Sequence, residues 1–105
     1  MTTTDVLTDM VNTIVAGFQP LKVILFGSRA RGDMRWDSDY DFLVVMPDGT
    51  DRMVTIVAIL KALADAPVPT DVLVTTPDEI MRRGDMSGSV LKPALSEGKT
   101  LYERP

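Results

Sequence analysis

The chain contains no cysteine and no histidine. Disulfides are therefore excluded, as are zinc sites built on thiolate or imidazole and any nucleophile activated by a histidine. What is left for metal chemistry is carboxylate oxygen, which suits Mg²⁺, Mn²⁺ or Ca²⁺. No apolar run approaches the roughly 18 residues of a membrane span. Positive charge is short: 11 Lys and Arg stand against 15 Asp and Glu, a net charge of −4. The molecule as a whole is thus a poor general binder of nucleic acid, and no direct contact with nucleic acid or membrane is expected. The opening Met1-Thr2-Thr3-Thr4-Asp5 lacks the basic-then-apolar layout of a secretory signal, so a reducing, cytoplasmic setting is expected. With 105 residues, a single domain spanning 1–105 is the expectation, and one core is feasible without covalent staples.

Periodicity orders what is there. Val6, Met10 and Ile14 form one helical row and Leu7, Val11 and Val15 the next, predicting an amphipathic helix from about Thr4 to Gly17. Thr3 or Thr4 would cap it and Gly17 would end it. Val23-Ile24-Leu25-Phe26 and Asp41-Phe42-Leu43-Val44-Val45-Met46 read as strands covered on both faces. Pro47-Asp48-Gly49 stops the second. A helix follows from Asp51 to about Ala66, with Met53, Ile56, Val57, Leu60, Leu63 and Ala64 as its apolar stripe. Thr70-Asp71-Val72-Leu73-Val74-Thr75 is a third strand. Thr76 then caps a helix with Pro77 at its first position and acids in its first turn. That helix is expected to run, broken near Gly84 to Gly88, to about Ser96, with Pro93 at odds with its last part. Lys99-Thr100-Leu101-Tyr102-Glu103 reads as a short edge strand. The seven methionines read as core filler. The order α-β-β-α-β-α-(β) predicts an α/β (α+β) fold, a mixed sheet of three to four strands flanked by helices.

The chemistry concentrates in residues 27–41. Gly27-Ser28 closes the first strand, and ten residues further on Asp39-Tyr40-Asp41 opens the second. Residues two apart on a strand share a face, so Asp39 and Asp41 stand side by side, their alpha carbons about 6.5 Å apart. Leu43 and Val45 continue that face into apolar packing, while Tyr40, Phe42 and Val44 point the other way. Two carboxylates this close repel unless a cation lies between them. Asp71, at the mouth of the third strand, can join them if the second and third strands are neighbours. Three acids can hold two Mg²⁺ ions, and Asp71 is then a candidate for taking up a hydroxyl proton. Gly27 lets backbone approach a phosphate, and Ser28 offers a hydroxyl and an amide. Arg29, Arg31 and Arg35 add positive charge that a phosphate could use. Trp36 reads as packing under its loop, and Asp33 and Asp37 as loop acids. A calcium loop beginning at Asp37 fails, because its sixth position would be Phe42 where glycine is required. A P-loop fails because no Gly-Lys-Ser/Thr follows.

The Gly-Ser, ten residues, Asp-x-Asp pattern resembles the DNA polymerase beta-like nucleotidyltransferase superfamily. In detail, Gly27-Ser28-Arg29-Ala30-Arg31-Gly32, the tract from Asp37 to Val45 and the ending from Ser96 to Glu103 are similar to the minimal nucleotidyltransferases, many of them type VII antitoxins of HEPN/MNT toxin–antitoxin pairs. By that resemblance Asp39, Asp41 and Asp71 are the catalytic, metal-binding acids, and Gly27 and Ser28 bind the triphosphate; Arg29 and Arg31 are phosphate-side candidates by their charge. The resemblance further implies Mg²⁺, ATP as substrate, and transfer of AMP to a hydroxyl, in some members a tyrosine of the HEPN RNase toxin, in a hetero-oligomer with that toxin.

Once the sheet and its helices are counted, no residues remain for an acceptor domain, which favours an acceptor on another macromolecule. Two alternatives stand beside the adenylyltransferase antitoxin. One is a non-catalytic antitoxin that neutralises by covering its toxin. The other is a small-molecule nucleotidyltransferase acting as a homo-oligomer.

Overall fold

A computed structural model describes residues 3–27, 39–83 and 91–105, with side chains from residue 6 onward in the first stretch. The expected cap at Thr3 or Thr4, the assignments to Ser28, Arg29, Arg31, Asp33, Arg35, Trp36 and Asp37, and the helix break at Gly84 to Gly88 lie outside what is described.

The first helix, α1 (Thr3–Phe18), buries Val6, Met10 and Ile14 as the periodicity requires. It does not end at Gly17. Phe18 packs against the core and holds the helix one residue longer, and the exit falls to Gln19, which takes a left-handed φ of 50° ahead of the buried Pro20. Strand β1 (Lys22–Phe26) follows, then β2 (Tyr40–Val45). These two pair antiparallel, from Lys22 opposite Val45 to Phe26 opposite Asp41.

Helix α2 (Arg52–Ala62) starts at Asp51, whose Oδ1 accepts the Val54 amide at 3.1 Å. Its buried row is Ile59 and Leu63, with Ile56 against them. Of the predicted apolar stripe, Met53, Val57 and Leu60 instead face outward, 69, 47 and 37 % exposed. The helix is apolar on two sides, so its 3.6 period fits either orientation and only the sheet beneath selects one. The methionines divide in the same way: Met10 and Met46 are core, whereas Met53 and Met81 stand exposed.

Strand β3 (Thr70–Thr75) lies parallel to β2, and the chain then enters α3 (Pro77–Arg83). Thr76 Oγ1 accepts the Glu79 amide at 3.2 Å, the expected cap. Asp48 reaches across from the β2–α2 turn to accept the Asp78 amide at 2.9 Å. Helix α4 (Leu91–Glu97) places Pro93 in its first turn, where no intrahelical amide is needed, so the proline breaks nothing. Gly98 makes the turn into β4 (Lys99–Glu103), which pairs antiparallel with β1 and forms an edge.

The sheet order is β3-β2-β1-β4, a mixed four-stranded sheet as expected. One face, carrying Val23, Leu25, Tyr40, Phe42, Val44, Val72 and Val74, packs on α1 and α2. The other, carrying Ile24 and Leu43, packs on Leu91 and Ala94 of α4. No helix among the described residues is long and apolar enough to cross a membrane.

Candidate active site

The parallel pairing of β2 with β3 fixes the site. Asp41 and Asp71, each the second residue of its strand, are register partners. Adjacent strands lie about 4.8 Å apart and partnered residues point to the same side, so the two carboxylates are side by side. Their neighbours along the strands are Leu43 and Leu73, both part of the face that α4 covers. Asp41 is half-buried where that cover ends, and Asp71 is exposed. Asp39, exposed, lies two residues ahead of Asp41, the spacing that returns an extended chain to the same face. The condition placed on Asp71, that its strand neighbour that of Asp41, is met.

Gly27 closes β1 beside this pair. Its φ of 78° lies in the left-handed region, and a Cβ there would fall on the Asp41 carboxylate, against Oδ2. Two independent constraints thus require glycine: the backbone angle and the space occupied by Asp41. The result is a carboxylate laid against bare backbone at the end of a strand. The remaining phosphate-side candidates, Ser28, Arg29 and Arg31, fall outside the described residues.

Asp71 is turned to the rim. Its Oδ1 accepts the amide of Val72 at 3.0 Å. The carbonyls of Pro69 and Thr75 bond to Tyr40 and Met46 on the β2 side, so by alternation the Val72 amide belongs to the free outer edge of β3. Among the described residues no three carboxylates close into a ready cage for a metal ion. The donor set nonetheless suits a hard divalent cation. Like charges in register on adjacent strands repel, a cation between them removes the repulsion, and Asp71 can leave a single amide bond by side-chain rotation.

One acid was not singled out by the sequence. Glu79 reads as an ordinary first-turn carboxylate, yet it is buried, accepts the Thr75 hydroxyl at 2.6 Å and pairs with Arg52. It ties α2, β3 and α3 together at the opposite end of β3 from Asp71. With both partners supplied by the protein, Glu79 is structural.

A family profile for the nucleotidyltransferase domain matches residues 9–92. No curated protein sequence matches the chain. Among solved structures, a candidate nucleotidyltransferase from Sulfolobus solfataricus is 23 % identical with a TM-score of 0.63, over 95 % of this chain and 79 % of that one. A toxin–antitoxin with AMP-PNP is 21 % identical with a TM-score of 0.58, over 92 % and 73 %. The toxin–antitoxin MntA-HpeT is 18 % identical with a TM-score of 0.65, over 92 % and 72 %. At these identities the likeness is one of fold.

Proposed function

The chain belongs to the nucleotidyltransferase domain family, and from that premise we propose that it transfers AMP from ATP to a hydroxyl of a partner toxin, a HEPN RNase, acting as its antitoxin. The observation that carries this reading is the register pairing of Asp41 with Asp71 beside a glycine that no other residue can replace without strain. The fold shared with a toxin–antitoxin holding AMP-PNP, and with MntA-HpeT, supports the nucleotide and the partner.

In this reading Asp39, Asp41 and Asp71 hold Mg²⁺, two ions for the full set. When bound, Mg²⁺ neutralises triphosphate charge and lowers the pKa of an attacking hydroxyl. The protein's own share is placement. Gly27 gives the triphosphate a side-chain-free approach, with Ser28 and the arginines at positions 29 and 31 completing the phosphate side. The acceptor oxygen, a tyrosine hydroxyl of the toxin, bonds to the α-phosphorus and pyrophosphate leaves. Asp71, at the exposed rim, takes the hydroxyl proton once its carboxylate leaves the Val72 amide. The described site carries carboxylates and no hydroxyl, and in this reading the acceptor hydroxyl comes from the partner. Its setting is the cytoplasm, where ATP and an RNase toxin meet.

The test is transfer from α-labelled ATP with Mg²⁺ to the product of the adjacent reading frame. Label should appear on the toxin, and replacing Asp39 and Asp41 together by Asn should abolish it while the fold persists. Absence of label with the unaltered protein refutes the reading. A second reading, neutralisation by binding alone, is favoured by one observation: the Asp71 carboxylate is engaged with the Val72 amide. Under it the Asn variants would still protect cells.

A further inference from the structure

Among the described residues, the large apolar side chains left exposed fall on two helices: Met53, Val54, Val57 and Leu60 on α2, and Met81 on α3. Both helices flank β3, the sheet edge that carries Asp71. On α2 the four residues form one stripe around Val57, alongside the row of Ile56, Ile59 and Leu63 that faces the core. Met53 at one end of the stripe also lines a pocket of about 360 Å³ between α2, β3, α3 and α4, whose apolar wall includes Leu73 and Leu91. Leu73 lies two residues beyond Asp71 on the same face. The pocket thus reaches from the stripe round the edge of β3 to Leu73, two residues from the rim acid.

The charges on this surface say what could cover it. The acids beside the stripe and the pocket are engaged: Asp51 caps α2, Asp78 pairs with Arg82, and Glu79 pairs with Arg52. Its remaining cations, Arg83 at the pocket and Lys61 at the far end of the stripe, form no ion pair among the described residues. Met53 and Lys61 are eight residues apart, about 12 Å along the helix. An apolar strip with an unmatched cation at each end, on a chain of net charge −4, is complementary to an apolar segment flanked by carboxylates.

We propose that this surface docks the toxin partner through an apolar segment flanked by acidic residues, seated along α2 with its end in the pocket beside β3. The proposal rests on the toxin–antitoxin reading above and gives it a geometry. A partner held there has its next surface at Leu73 and Asp71, where the acceptor hydroxyl is needed.

The experiment pairs titration calorimetry with label transfer, using the product of the adjacent reading frame and three forms of the full chain: unaltered, Val57→Asp, and Lys61→Glu with Arg83→Glu. Val57 is about half exposed and both cations are exposed, so the fold should survive, as circular dichroism would verify. Each altered form should weaken the complex at least about tenfold, as expected for residues central to an interface. Unchanged affinity in both, or tighter binding on charge reversal, overturns the proposal. A dimer of the unaltered chain in sedimentation that Val57→Asp dissociates also overturns it, assigning the face to a second copy. A complex that Val57→Asp disrupts but in which no label moves upholds the docking surface and refutes the transfer reading. Label transfer with unchanged affinity in the altered forms does the reverse. No complex with the unaltered chain overturns both.

Discussion

Replacing Gly27 by Ala tests the junction of fold and site in one substitution. The residue has a φ of 78°, and moving an L-residue with a Cβ into the left-handed region costs about 1–2 kcal/mol. The new methyl group would also meet the Asp41 carboxylate, at Oδ2 and at Cγ 3.3 Å away. A carboxylate end can swing aside, so this overlap should add about 1 kcal/mol, the low end for an overpacked site. The sum is about 2–3 kcal/mol, or a fall of about 8–24 °C in melting temperature for a domain of this size. Activity should suffer more than stability. In the proposed transfer reaction the group that moves must hold its place, and a displacement of about 1 Å there can remove about 100-fold of rate. The decisive assay is a double-mutant cycle by urea denaturation, with Asp41→Ala as the second change. In that background the overlap is gone and only backbone strain remains, so Gly27→Ala should cost about 1–2 kcal/mol. An equal cost in both backgrounds would refute the claim that Asp41 lies against Gly27. No cost in either would refute the left-handed turn itself.

Two other glycines should respond with opposite signs. Gly17 is helical and exposed with open space around it, so Gly17→Ala should stabilise by up to about 1 kcal/mol. A Cβ at Gly98 would collide with Ala94 O and Ile24 Cγ2, so Gly98→Ala should destabilise by about 1–3 kcal/mol, both read from urea midpoints. Glu79→Ala should cost about 2 kcal/mol in the same assay, because it leaves the buried Thr75 hydroxyl without its acceptor while Arg52, half exposed, keeps its water. Removing the cap of α2 by Asp51→Ala should cost about 1 kcal/mol without altering the m-value.

Much of the fold is legible because it is written locally. Thr70 to Thr75 is a strand at the residues predicted, and the Thr76-Pro77-Asp78-Glu79 start of α3 uses the cap that its sequence announces. Alternation also separates Tyr40, Phe42 and Val44 from Leu43, and the two core clusters keep them apart. Local patterns mislead where two answers fit equally well. Gly17 is a plausible helix end, but Phe18 finds the core and Gln19 takes the turn. On α2, Met53 and Ile59 are both apolar and both in phase with a face, and only contact with β3 and α1 decides that Ile59 is buried.

The candidate site divides in the same way. The sequence alone narrowed the donors on offer: without histidine or cysteine, acids at positions 39, 41 and 71 and a glycine before a break are groups that suit a hard cation and a phosphate. That Asp39 and Asp41 lie two residues apart is a covalent fact, although β2 itself begins at Tyr40. That Asp71, thirty residues beyond Asp41, is its register partner depends on which strand lies beside β2 and in which direction, set by the α2 crossover and the burial of Val72 and Val74. The tertiary structure also placed the Asp41 carboxylate against Gly27 and left the second apolar side of α2 facing outward. Chain separation hides such pairings from any local pattern, because they are fixed by packing between elements rather than within them.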